Sequence, residues 1–107
     1  MAYQIIWSSE SARVYDKIIE YLNDNWYESD IFNFLEKTNE ILSLLERSPY
    51  LFRFSKKQNV FEVIISKHNL LIYEINESLK QVYLLTFIDT RSNPKLKKVK
   101  IKKARND

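Results

Sequence analysis

Val60-Phe61-Glu62-Val63-Ile64-Ile65, Leu70-Leu71-Ile72-Tyr73-Glu74-Ile75 and Gln81-Val82-Tyr83-Leu84-Leu85-Thr86-Phe87-Ile88 are three β-branched and aromatic runs. Lys67-His68-Asn69 and Asn76-Glu77-Ser78 mark the breaks between them, so they predict consecutive strands joined by tight turns. Such connections impose antiparallel pairing. The chain has no Gly, and Asn is the other residue that tolerates left-handed backbone. Asn69 and Asn76 are therefore expected to take the left-handed turn positions.

Upstream, Phe52-Arg53-Phe54-Ser55 reads as one more short strand. Before it, Ile31, Phe34, Leu35, Thr38, Ile41, Leu42 and Leu45 recur at helical spacing, with Ser29 or Asp30 as the expected cap and Pro49 as the terminator. Tyr15, Ile18, Ile19, Leu22 and Trp26 mark an earlier amphipathic helix over residues 9–25, with Glu10 in its first turn. The segment Tyr3 to Trp7 is a strand that runs into the cap Ser8-Ser9. The order β-α-α-β-β-β-β predicts an α+β, two-layer domain, with an antiparallel helix hairpin packed on one face of a mainly antiparallel sheet of the later strands. Trp7 and Trp26 are expected in the helix–sheet core.

The 107 residues suit a single domain, read as 1–96 followed by a basic tail at 97–107. Without Gly the chain has no phosphate-cradling loop or nucleophile elbow, and without Cys no disulfide or thiol nucleophile. With His68 as the single His, a two-His metal site is excluded, and neither metal nor cofactor is expected. No apolar run approaches the roughly 20 residues that span a bilayer, and no basic signal-peptide start is present, which predicts a soluble cytoplasmic protein without a membrane partner. The net charge of +3 hides a division: residues 1–49 hold 4 Lys/Arg and 9 Asp/Glu, and residues 50–107 hold 13 and 5. Eight of those cations lie from Arg91 onward, where Lys98, Lys100 and Lys102 alternate with Val99 and Ile101 as either an edge strand or a frayed tail. A basic half suits nucleic acid or an acidic partner segment.

Ile6-Trp7-Ser8 with Ala12, Tyr15-Asp16, Ile18 and Tyr21-Leu22, then Pro49, Val63 to Tyr73 and Phe87-Ile88-Asp89-Thr90-Arg91-Ser92-Asn93-Pro94, give the sequence a further reading. From about residue 4 to residue 96 it resembles the RelE/ParE superfamily of type II toxin–antitoxin toxins. The Asp-Thr-Arg-x-x-Pro that follows a hydrophobic strand, together with the early Trp-Ser-x-x-x-Ala, is the more specific part. The resemblance implies a growth-inhibiting protein of the kind tied to plasmid stabilization, held inactive in a hetero-oligomer by a cognate antitoxin whose disordered segment folds across it. ParE-like members bind and inhibit DNA gyrase, whereas RelE-like members cleave mRNA on the ribosome without a metal. An inactive, antitoxin-binding remnant is a third possibility.

Metal-free RNA cleavage needs a base for the 2′-hydroxyl, an acid for the leaving oxygen and cations for the phosphate. RelE-like members supply these from Lys and Arg on the central strands, but the matching strands here have neither, and Glu62 repels phosphate. An endoribonuclease reading therefore falls back on candidates His68, Arg91, Lys67 and Arg53, with Lys56, Lys57 and Lys95 also at strand ends. His68 alone titrates near neutrality when unperturbed; the competing role is a hydrogen-bonded turn residue. Arg91 follows the last strand, where a guanidinium can reach a phosphate or instead clamp Asp89. Tyr73 and Tyr83 either stack on bases or pack the core. A ParE-like protein needs no catalytic set, only a binding surface, for which Arg91, Lys95, Lys97 and Lys98 are the candidates. The preferred expectation is a toxin acting by binding gyrase; the alternative is the ribosome-dependent endonuclease.

Overall fold

The computed structural model describes residues 2–25 and 28–89. Strand β1 (Gln4–Trp7) leads into helices α1 (Ser9–Asn25) and α2 (Glu28–Arg47), then strands β2 (Arg53–Ser55), β3 (Val60–Ser66), β4 (Asn69–Asn76) and β5 (Gln81–Asp89). The five strands form one sheet in the order β1-β5-β4-β3-β2. β2 to β5 pair antiparallel, as the tight turns dictate, and β1 lies parallel to β5 on the far edge, with Ile5 opposite Val82. The α+β, two-layer reading is borne out.

Alternation along the strands sends Val63, Ile65, Leu71, Tyr73, Val82, Leu84 and Phe87 to one face, where Ile18, Leu22, Phe34, Ile41 and Leu45 of the helices meet them. Complete burial of a Leu such as Leu45 or Leu71 contributes about 1.5–3 kcal/mol. Trp7 lies at the rim of this core rather than inside it: it is 37% exposed, with its ring edge-on to Tyr15 at 5.1 Å. Among the described residues β1 is an edge strand, so one side of the indole has no neighbouring strand there. Trp26 lies outside the described residues. On the opposite face Val60, Ile72 and Leu85 form a second, smaller cluster with Leu70, Tyr83 and Ile88, and among the described residues no residue of α1 or α2 joins it.

The local signals divide instructively. α1 starts after Ser8, whose Oγ accepts the Ser11 N–H at 2.9 Å in an N-cap. α2 starts at Glu28, one residue before the expected caps. Ser29 and Asp30 therefore occupy its first turn, where Glu28 and Asp30 complement the helix dipole. Neither Asn69 nor Asn76 is left-handed; among the described residues that conformation belongs to Asn59 (φ 58°) and Lys80 (φ 53°). Asn69 is drawn into β4, with its amide donating to Ser66 Oγ at 2.9 Å, and a register shift between Ile64 and Ser66 accommodates the turn. Asn76 serves the next turn through its side chain, Oδ1 accepting the Leu79 N–H at 3.0 Å, which leaves the strained position to Lys80.

Candidate functional site

The β3–β4 hairpin divides the candidate residues between two surfaces. On the helix side, Lys67 and His68 line a groove of about 550 Å³ between the hairpin turn and the helices, with Leu22, Phe34 and Ile65 among its apolar walls and Asp30, Glu36, Lys37 and Glu40 along the α2 wall. Lys67 is exposed and His68 half-buried. The surrounding carboxylates make this groove a poor cradle for phosphate.

Arg53 belongs to the other face. Cross-strand pairing sets it opposite Glu62, and its guanidinium lies 3.8 Å from the carboxylate. The two share a groove of about 570 Å³ with Ile64, Leu70, Ile72 and Ile88. Glu62 and Ser66 are four residues apart on β3, so about 13 Å of strand separates Arg53's partner from the turn that carries Lys67 and His68. The structure thus brings Lys67 and His68 together and sets Arg53 apart from them. Lys56 and Lys57 are exposed in the β2–β3 turn. Arg91, Lys95, Lys97 and Lys98 lie outside the described residues.

The helix-free face is mainly apolar along its centre, and its charged strand positions are Glu62, Glu74 and the ion-paired Arg53. Glu74 is opposite Tyr83 and only 5% exposed. Tyr73 resolves to the core: it is fully buried, stacked on Phe61 at 5.3 Å, and its hydroxyl donates to the Pro49 carbonyl at 2.7 Å. Burial pushes its pKa well above the ordinary tyrosine value. Tyr83 is half-buried in the helix-free face.

One cluster escaped sequence reasoning. Glu77 accepts hydrogen bonds from Tyr3 at 2.9 Å, from Tyr50 at 2.7 Å and from Lys80, tying the N-terminal strand, the α2–β2 loop and the β4–β5 turn together. These donors hold the Glu77 carboxyl down at about 2, with Lys80 contributing most, and the Glu77 hydrogen bond pushes Tyr50 up to about 12. Nothing in the spacing of residues 3, 50, 77 and 80 signals this meeting.

Among the described residues no group of three or more His, Cys, Asp or Glu is disposed to hold a metal ion. Among them also, no helix is long and apolar enough to cross a membrane.

No protein-family model matches the sequence, and no curated protein is similar to it in sequence. Solved structures are similar in fold. A YoeB/ParE toxin from Agrobacterium tumefaciens superposes with a TM-score of 0.59 at 13% identity, covering 80% of this chain and 96% of that one. An arginine-to-alanine double variant of the E. coli toxin RelE in the free state gives 0.57 at 14% identity, covering 91% and 93%. A heterotetrameric YoeB–YefM toxin–antitoxin complex from Staphylococcus aureus gives 0.53 at 14% identity, covering 82% and 97%. The strand, helix hairpin and four-strand antiparallel run that this sequence encodes thus share the fold of the YoeB, ParE and RelE toxins of those structures.

Proposed function

We propose that this chain is the toxin of a type II toxin–antitoxin pair and that it arrests growth by binding its target, DNA gyrase, rather than by cleaving RNA. The fold supports the toxin reading, and the likeness to a toxin–antitoxin complex supports an antitoxin partner. The observation that carries the choice of mechanism is the charge of the helix-free sheet face. Its central strands present Ile72, Leu70 and Leu85 with Glu62 and Glu74, and the nearest described cation, Arg53, is engaged by Glu62. Stabilising the charge that develops on a phosphate needs unpaired cations at the reacting centre; binding a large partner needs only a surface. That surface includes Arg91, Lys95, Lys97 and Lys98.

The test is to induce the protein without antitoxin and follow methionine and thymidine incorporation over the first minutes. Early loss of DNA synthesis supports gyrase. Early loss of protein synthesis overturns it in favour of a ribosome-dependent mRNA endonuclease, and loss of neither leaves an inactive antitoxin-binding remnant. Replacing Arg91, Lys95, Lys97 and Lys98 together by Ala is expected to abolish arrest with the fold intact.

A further inference from the structure

Asn69 is only 5% exposed, and its Nδ2 donates to Ser66 Oγ at 2.9 Å, but among the described residues its Oδ1 accepts no hydrogen bond. A buried acceptor without a donor is costly, so a donor from outside the chain, a water or a ligand, is expected there. The residue type is itself out of place. Asn is depleted in strands, yet position 69 opens β4 on the helix-covered face, where Leu71 and Tyr73 follow at alternate positions. Asn69 also lines the helix-side groove, whose volume of about 550 Å³ falls in the range of small-molecule sites. We propose that this groove binds a small organic cation, an amidinium, guanidinium or primary ammonium carried on an apolar body, with one N–H donating to Asn69 Oδ1. Three features select that chemistry. Leu22, Phe34 and Ile65 give the groove apolar walls for the body, and the ring of Phe34 is backed by Tyr15 at 5.5 Å. Its polar wall is rich in acceptors, with Asp30, Glu36 and Glu40 along α2, and Asp89 stands directly opposite Asn69 on β5. The lysines of the lining are turned to other uses, since Lys37 reaches Glu40 at 3.6 Å and Lys67 is exposed. Carboxylates outnumber those lysines, so the groove attracts a cation over an uncharged molecule of the same shape. The site is independent of the toxin reading, because its test measures the binding of a small molecule rather than growth.

Benzamidine is the probe, and benzamide, its uncharged counterpart of nearly the same shape, is the control. Isothermal titration calorimetry of the purified chain is expected to show one saturable benzamidine site and at least tenfold weaker binding of benzamide. Asn69→Asp keeps an acceptor at the position and adds a negative charge, so it should bind benzamidine at least as tightly as the wild type. Asn69→Leu removes the acceptor and should bind benzamidine at least tenfold more weakly. Equal affinities for the two probes, or an unchanged benzamidine affinity in Asn69→Leu, overturn the proposal. No saturable binding at millimolar benzamidine also overturns it, and leaves a water as the donor to Oδ1. Should Asn69→Leu fail to fold, the unaltered chain decides. Nuclear Overhauser contacts from the benzamidine ring to Phe34 and to the methyl groups of Leu22 and Ile65 support the site; contacts only elsewhere, or none, overturn it.

Discussion

The Ser8 hydroxyl donates a 3.0 Å hydrogen bond to the Leu85 carbonyl, joining the cap of α1 to a bulge in β5. Ile72 is opposite Thr86 and Tyr73 opposite Leu84, so Leu85 is the residue without a partner on β4, and its carbonyl takes the donor that the ladder does not supply. The Ser8 Oγ also accepts the Ser11 N–H. Ser8→Ala removes both interactions and is expected to cost about 1–2 kcal/mol. Ser8→Thr should retain most of that stability. Urea unfolding of the two variants checks the difference.

Tyr73→Phe deletes the donor to the Pro49 carbonyl in a dry part of the core. An unsatisfied buried acceptor costs about 1–3 kcal/mol, and a lowered urea midpoint with an unchanged slope is the expected result. The titration of the wild-type hydroxyl points the same way. The folded-state pKa of Tyr73 lies above the unfolded value of 10.0, so its contribution to stability is complete below pH 10 and is lost as pH rises toward the folded value. Tyr50, raised to about 12, adds to the same alkaline loss. Phenolate absorbance should therefore show Tyr73 ionising together with unfolding, not before it.

Glu77 acts at the opposite end of the pH scale. Its carboxyl is held at about 2 against 4.5 in the unfolded chain, so its contribution is complete above about pH 4.5 and disappears as pH falls toward 2. Glu77→Gln should melt below the wild type at neutral pH and converge with it on acidification. Because the cluster is at the surface, added salt should narrow the gap at neutral pH as well. Thermal melts between pH 2 and 7, at low and high salt, test both statements.

Left-handed backbone at Asn59 predicts a graded response to substitution. Asn59→Gly should be close to neutral, whereas Asn59→Val forces a β-branched side chain into the φ 58° conformation and should cost about 1–2 kcal/mol. The turn also uses the Asn59 N–H, which donates to the Ser55 carbonyl at 2.7 Å. Comparing the two unfolding curves separates the backbone strain from the loss of the amide.

Elements with a strong period were legible in the sequence because burial and period coincide in them. Val63 and Ile65 alternate with Glu62 and Ile64, and Phe34, Thr38, Ile41 and Leu45 recur on one helical face. Turn handedness was not legible, because two means of closing a turn compete for the same Asn: Asn76 uses its side chain and leaves the positive φ to Lys80. The parallel β1–β5 pair was not legible either, since it joins residues 77 positions apart with no local signal. For the candidate site, the lack of cations on β3 and β4 was visible in the sequence. The division of Lys67 and His68 from Arg53 between two faces became apparent only once the register was known.

That division yields the last prediction. A general acid or base contributes about 10²- to 10⁴-fold to a rate, so an endonuclease relying on His68 would lose nearly all activity in His68→Ala. Here His68 and Lys67 line the helix-side groove among Asp30, Glu36 and Glu40, while Arg53 lies on the other face against Glu62, and no one substrate phosphate can touch both sets through a five-stranded sheet. Lys67→Ala, His68→Ala and Arg53→Ala are therefore each expected to arrest growth as the wild type does, at matched expression. Growth after induction and primer extension on a reporter mRNA check this. Loss of arrest in His68→Ala, with an unchanged melting temperature and the loss of a discrete cleavage product, would restore the RNA-cleaving mechanism.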